Sequence, residues 1–212
     1  MTILRGLYVI TDRELLANRL IEAVEEALRG GARIVQYRDK GADQARREHE
    51  AKALLALCRR YHVSLLINDD VDLAQRVGAD GVHLGQEDLA LTEARARLGE
   101  QAMIGVSCYN RLDLAQAAQE AGADYVAFGR FFSSQTKPNA VQASLDLLRQ
   151  AKRELRIPVA AIGGVTPENG RSLVEAGADM LAVIHGVFGP ANIEATAARY
   201  AALFGIRKKP DE

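Results

Sequence analysis

Residues 78–84 read GADGVHL, a glycine and two short residues set directly before a compact apolar run. Glycine reaches the left-handed backbone conformation that commonly ends a helix, and the run that follows has the length of a buried strand. The stretch therefore reads as a helix stop joined to a strand start. The same pattern stands at Gly31-Ala32-Arg33, Gly122-Ala123-Asp124 and Gly177-Ala178-Asp179, each time just ahead of another apolar run. A stop and start that recurs in this way marks a repeat two βα units long.

Working outward from these points, strands are expected at 6–11, 33–38, 64–68, 81–84, 103–107, 125–128, 158–162 and 180–184. Amphipathic stretches lie between them, such as the stripe Leu20, Val24 and Leu28, or Leu145 and Leu148 with Lys152 at its edge. Asn110 precedes one helical pattern, and Thr166-Pro167 offers an N-cap followed by the proline favoured at the first helical position. Strand and helix alternating eight times argues for a parallel sheet, and the two-unit repeat for its closure into a (βα)8 TIM barrel. A doubly wound open sheet is the alternative, weakened in its dinucleotide form because no GxGxxG follows the first strand. No linker or low-complexity segment divides the chain, so residues 1–206 are expected to form one catalytic domain, with 207–212 a solvated, frayed tail.

Composition narrows the function classes. Twenty-seven Lys and Arg oppose 28 Asp and Glu, giving a formal net charge of −1, so no global field favours nucleic acid or an anionic membrane. The N-terminal apolar run is short for a signal peptide, and no run reaches the length of a membrane span, so a cytoplasmic protein is expected. Cys58 shares a helical face with Ala51, Leu54 and Leu55 and reads as core. Cys108, beside Ser107, has no obvious base to activate it.

In a parallel barrel the strand ends converge at one mouth, and here the ends are polar. In "RIVQYRDK", residues 33–40, Gln36, Arg38 and Lys40 fall on alternate positions, which point the same way in an extended chain. Asn68, Asp69 and Asp70 follow the third strand, and His83, Gln86, Glu87 and Asp88 lie in or after the fourth. Ser107 ends the fifth, Lys137 follows the sixth, Gly163-Gly164 the seventh and His185 the eighth. Arg38, Lys40 and Lys137 suit an oxyanion, while Asp69 and Asp88 are hard oxygen ligands of the kind Mg²⁺ takes. Cations beside acids point to a magnesium pyrophosphate. Gly163-Gly164-Val165-Thr166, leading into a helix N-terminus, suggests a second phosphate site. Singly, each of these residues is more often a rim charge, a turn or a structural histidine; their convergence on one face is what argues for function.

The combination QYRDK, INDD, GADGVHLGQEDL, IGVSCYN, TKP and AIGGVTPEN resembles the thiamine-phosphate synthase (thiamine-phosphate pyrophosphorylase) family over nearly the whole chain. The resemblance implies a (βα)8 barrel that couples 4-amino-5-hydroxymethyl-2-methylpyrimidine diphosphate with a thiazole phosphate and releases pyrophosphate. It implies that Gln36, Tyr37, Arg38, Asp39, Lys40, Asn68, Ser107 and Lys137 meet the pyrimidine diphosphate. It further implies that Ser134, Gln135, Thr136, Gly164, Ile184 and His185 hold the thiazole phosphate, and that Asp69 and Asp88 bind Mg²⁺. Arg38, Lys40, Ser107 and Lys137 would be the catalytic set. The expected partners are the two substrates, with no nucleic acid and no membrane, and a homodimer is left open. The chain departs from the family pattern at Arg130, at Cys108-Tyr109-Asn110 and at His185.

Three other readings compete: a thiazole tautomerase on the same barrel, a regulator that binds thiamine phosphates without catalysis, and another phosphate-binding barrel enzyme. The tautomerase can dispense with Asp69, Asp88, Arg38, Lys40 and Lys137, all of which are present here.

Overall fold

A computed structural model describes residues 4–133 and 141–205. Eight parallel strands close into a barrel in sequence order: β1 Gly6–Ile10, β2 Ala32–Tyr37, β3 Ser64–Asn68, β4 Gly81–Leu84, β5 Met103–Ser107, β6 Tyr125–Gly129, β7 Val159–Ile162 and β8 Met180–Val183. Strand β1 pairs with both β2 and β8, so no sheet edge is left open. Between the strands run α2 (Leu20–Arg29), α3 (Gln44–Arg60), α4 (Val71–Val77), α5 (Leu91–Leu98), α6 (Leu112–Glu120), α7 (Leu145–Glu154) and α8 (Pro167–Glu175), with α10 (Ile193–Ala202) closing the ring against α2. Two short helices, α1 (Arg13–Leu16) and α9 (His185–Phe188), follow β1 and β8. The expected closed barrel is thus observed, and the open sheet is excluded.

The pleat sorts side chains into two cores. Tyr8, Ile34, Leu66, Tyr125, Ala160 and Met180 fill the barrel interior, whereas Leu7, Val9, Val35, Leu65 and Ile67 pack outward against the helices. The stripe Leu20, Val24 and Leu28 is buried in that outer layer, as are Cys58, Ala51, Leu54 and Leu55. Burial pushes the Cys58 thiol up to about 12, as suits a core residue.

All four repeat glycines, Gly31, Gly78, Gly122 and Gly177, take positive φ. Thr166 caps α8 with Pro167 in the first turn, and Asn169 returns a bond to the Thr166 amide to complete a capping box. Asn110 does not cap α6: that position is Arg111, and the Asn110 amide instead reaches the carbonyl of Gln142 at 3.3 Å.

The aspartates of the repeat have a purpose beyond the turn. Asp80, Asp124 and Asp179 accept the backbone N–H groups of Leu65, Ile104 and Val159 at 2.7, 2.7 and 2.9 Å. Each carboxylate therefore ties the start of an even-numbered strand to the start of the strand before it, at the end of the barrel away from the mouth. Arg33, at the matching place in the first repeat, offers no acceptor for such a bond. Asp179 also accepts from Lys152 at 2.7 Å. Replacing Asp179 by alanine strands a backbone donor and is expected to cost about 1–3 kcal/mol in urea denaturation. Asp146→Ala, which removes only an exposed pair with Arg149, should stay within about 0.5 kcal/mol of the parent.

Candidate active site

At the C-terminal ends of the strands two cavities of about 360 and 380 Å³ lie side by side, and Asn68 lines both. Gln36 and Arg38 continue the inward row begun by Ile34, and both line the first cavity, as their alternate spacing requires. Lys40 departs from that row. Strand β2 ends at Tyr37, and beyond it the chain turns so that Lys40 lines the second cavity, with Nζ 3.6 Å from an Asp69 oxygen. Arg38 bonds Asp12 at 3.3 Å, while Thr11 accepts its backbone N–H at 2.9 Å.

Tyr37 and Asp39 occupy the opposite face of this segment, and their side chains are turned away from the mouth toward α3. The Tyr37 hydroxyl donates to Glu50 at 2.6 Å, and the buried Asp39 carboxylate pairs with Arg46 at 2.6 Å and accepts the Gly41 N–H at 2.6 Å. Burial opposes ionisation of Asp39, but Arg46 and the Gly41 N–H outweigh it and hold the carboxyl below its ordinary range. These two residues shape the turn that carries Lys40; Asp39 also lines the second cavity, whereas Tyr37 lines neither.

Asp69 sits at the rim with φ 61°, a left-handed backbone rarely adopted outside glycine, and its N–H donates to the carbonyl of His83 at 2.9 Å. That conformation sends its carboxylate toward Asp88. The Asn68 amide donates to Asp69 at 2.6 Å, and Asp88 is steadied by the Gly85 N–H at 2.6 Å. Burial raises the Asp69 pKa, and the neighbouring Asp88 carboxyl raises it further. Asp70, by contrast, caps α4 through the Leu73 N–H and pairs with Arg47 at 2.8 Å.

Across the first cavity stand Gly163, Gly164 and Thr166 at the N-terminus of α8, with Ile184 and His185 beyond β8. Gly164 has φ 63°, and a Cβ there would collide with the backbone oxygen of Ser133. Ser107 lines the same cavity, and His83, which is almost fully buried beneath it, has both ring nitrogens hydrogen-bonded. Cys108 is buried and its thiol is pushed up to about 12, so it stays protonated and is no nucleophile. Ser134, Gln135, Thr136 and Lys137 lie outside the described residues. The sequence reading passed over Tyr8, and treated Tyr109 and Arg130 only as departures from pattern; all three line the first cavity.

The model of the family described as thiamine monophosphate synthase matches residues 7–187. The chain belongs to that family. It is 55% identical over 204 residues to a thiamine-phosphate synthase of Thioalkalivibrio sulfidiphilus, covering 96% of this chain and 97% of the relative. It is 54% identical over 198 residues to a thiamine-phosphate synthase of Nitrosococcus oceani, covering 93% of this chain and 91% of the relative. A solved thiamine phosphate pyrophosphorylase from Pyrococcus furiosus superposes with a TM-score of 0.87 at 35% identity, covering 96% and 97% of the two chains.

Gly164→Ala combines a strained backbone with a collision, and should lower the unfolding free energy by about 1–3 kcal/mol in urea. Gly78→Ala has the same left-handed backbone but open space around it, and should lose less.

Proposed function

We propose that this chain joins 4-amino-5-hydroxymethyl-2-methylpyrimidine diphosphate to a thiazole phosphate, giving thiamine phosphate and pyrophosphate, with carbon dioxide released as well where the thiazole carries a carboxyl group. The observation that carries the reading is the pairing of Asp69 with Asp88 at the rim, Lys40 beside them, next to a cavity that ends at a glycine turn and a helix N-terminus.

The donor set fits Mg²⁺. Two hard carboxylates lie close enough for one to raise the pKa of the other, a repulsion that a divalent cation between them would relieve, and Mg²⁺ takes one or two carboxylates and leaves its other positions to phosphate and water. Among the described residues no larger cluster of His, Cys, Asp and Glu competes for a metal. When bound, Mg²⁺ would neutralise charge on the diphosphate. Asp69 and Asp88 would hold it, and Asn68 would orient Asp69.

The reaction breaks the bond between the pyrimidine's methylene carbon and the diphosphate oxygen, and the electron pair leaves with the diphosphate. The thiazole nitrogen lone pair then forms the new C–N bond to that carbon. Such a step asks little of a nucleophile and much of the groups that meet the departing charge. Arg38, Lys40 and Lys137 would supply fixed cations, Gln36, Asn68 and Ser107 would orient the pyrimidine diphosphate, and the N-terminus of α8 with His185 would receive the thiazole phosphate. No helix among the described residues is long and apolar enough to cross a membrane.

Incubation with both substrates should release pyrophosphate and form thiamine phosphate, and EDTA should stop the release until Mg²⁺ is restored. Asp69→Ala and Lys137→Ala should each lower turnover about a hundredfold, the scale of losing one preorganised electrostatic contact. Near-parental rates in both variants would overturn the assignment.

A further inference from the structure

At the floor of the first cavity a chain of polar side chains crosses the barrel interior, Tyr8, Gln36, His83 and Ser107 lining the cavity and Tyr125 lying beneath them. The Gln36 amide nitrogen contacts the Tyr8 hydroxyl, which lies 2.8 Å from the Tyr125 hydroxyl. The Tyr125 hydroxyl lies 2.8 Å from His83 Nδ1, and His83 Nε2 lies 2.9 Å from Ser107 Oγ. Five residues on strands β1, β2, β4, β5 and β6 are thus linked, and only the two at the ends of the chain, Gln36 and Ser107, are needed by the chemistry set out above. Tyr8 and Tyr125 are fully buried, their rings edge to face at 5.9 Å, and the His83 ring stacks on Tyr125 at 5.6 Å. Gly105 makes the room: a Cβ at that position would fall on the Tyr125 ring.

The donor inventory gives this chain a direction. An amide nitrogen can only donate, so Tyr8 accepts from Gln36 and has its own proton for Tyr125. Tyr125, having accepted, passes its proton to Nδ1 of His83; pointed the other way, one of two buried phenols would lose its acceptor at a cost of about 1–3 kcal/mol. Burial raises the pKa of both tyrosines, so each keeps the proton it donates. With Nδ1 accepting, the neutral imidazole carries its proton on Nε2 and donates it to Ser107 Oγ. The Ser107 oxygen is then occupied as an acceptor, and its own proton is left for whatever occupies the cavity that it lines.

We infer that Tyr8, Tyr125 and His83 are positioning residues that fix the polarity of Ser107, making it a hydrogen-bond donor toward an anionic oxygen of the diphosphate. Each bond in such a chain polarises the next, so the hydroxyl at its end is a stronger donor than an isolated serine. A donor set in place before reaction stabilises charge as it develops on the leaving group. The consequence for catalysis rests on the proposed function; the polarity of the chain does not.

Two measurements test the two parts separately. Nitrogen-15 spectra of the free protein in mildly alkaline buffer, with the His83 signals identified by their loss in His83→Gln, should show the proton on Nε2. A proton on Nδ1 would reverse the chain and overturn the inference. In the coupled assay Tyr125→Phe should lower kcat on the order of tenfold, about the worth of one hydrogen bond. In a Ser107→Ala background it should cost almost nothing more, because Tyr125 acts through Ser107. Additive losses would mean that Tyr125 merely supports the barrel, and would sink the catalytic part. A parent protein without coupling activity would instead reject the proposed function, and the spectra would still decide the polarity.

Discussion

The alternation of side chains along a pleated strand is the constraint on which the rest of this molecule depends. In a closed barrel each strand has one row of side chains facing the interior and one facing the helices. An inward row that is apolar at its lower end and polar at its upper end delivers its last residues to the mouth without any further device. Ile34 and Gln36 form such a row on β2, continued by Arg38 just past its end, and Leu66 with Asn68 on β3 forms another. The outward row does different work at the same height: Tyr37 and Asp39 hold α3 through Glu50 and Arg46, and so set the turn on which Lys40 stands.

Much of this was legible in the sequence because it rests on periodicity. The strands at 64–68, 81–84 and 103–107 lie where their apolar runs place them, and the others differ by a residue at one or both ends. The repeat glycines were legible because a left-handed helix stop has few other solutions. The convergence of Gln36, Arg38, Asn68, Asp69, Asp88 and Ser107 on the mouth followed from strand ends alone. Asp69 and Asp88, on adjoining loops, do meet, and Lys40 stands beside them.

The remainder depended on partners that local pattern does not reveal. Tyr37 and Asp39 share a motif with Arg38 and Lys40, and nothing in that motif says that a strand ending at Tyr37 leaves them on the outer face. Asp80, Asp124 and Asp179 read as ordinary turn residues, since the backbone donor each one accepts belongs to a strand 15 to 20 residues earlier. His83 invited a structural reading, and its two bonds bear that out. Its link to Ser107 comes from the barrel's closure, which brings β4 and β5 into register and Tyr125 in from β6.

Gly105 carries a consequence for how such a barrel can diverge. Its missing side chain is the space that the Tyr125 ring fills, so the two positions form one volume shared between adjacent strands. Enlarging the first without shrinking the second creates a steric conflict, and shrinking the second alone opens a void. Lineages that alter either residue are therefore expected to change both, leaving a correlated pair in the history of the fold.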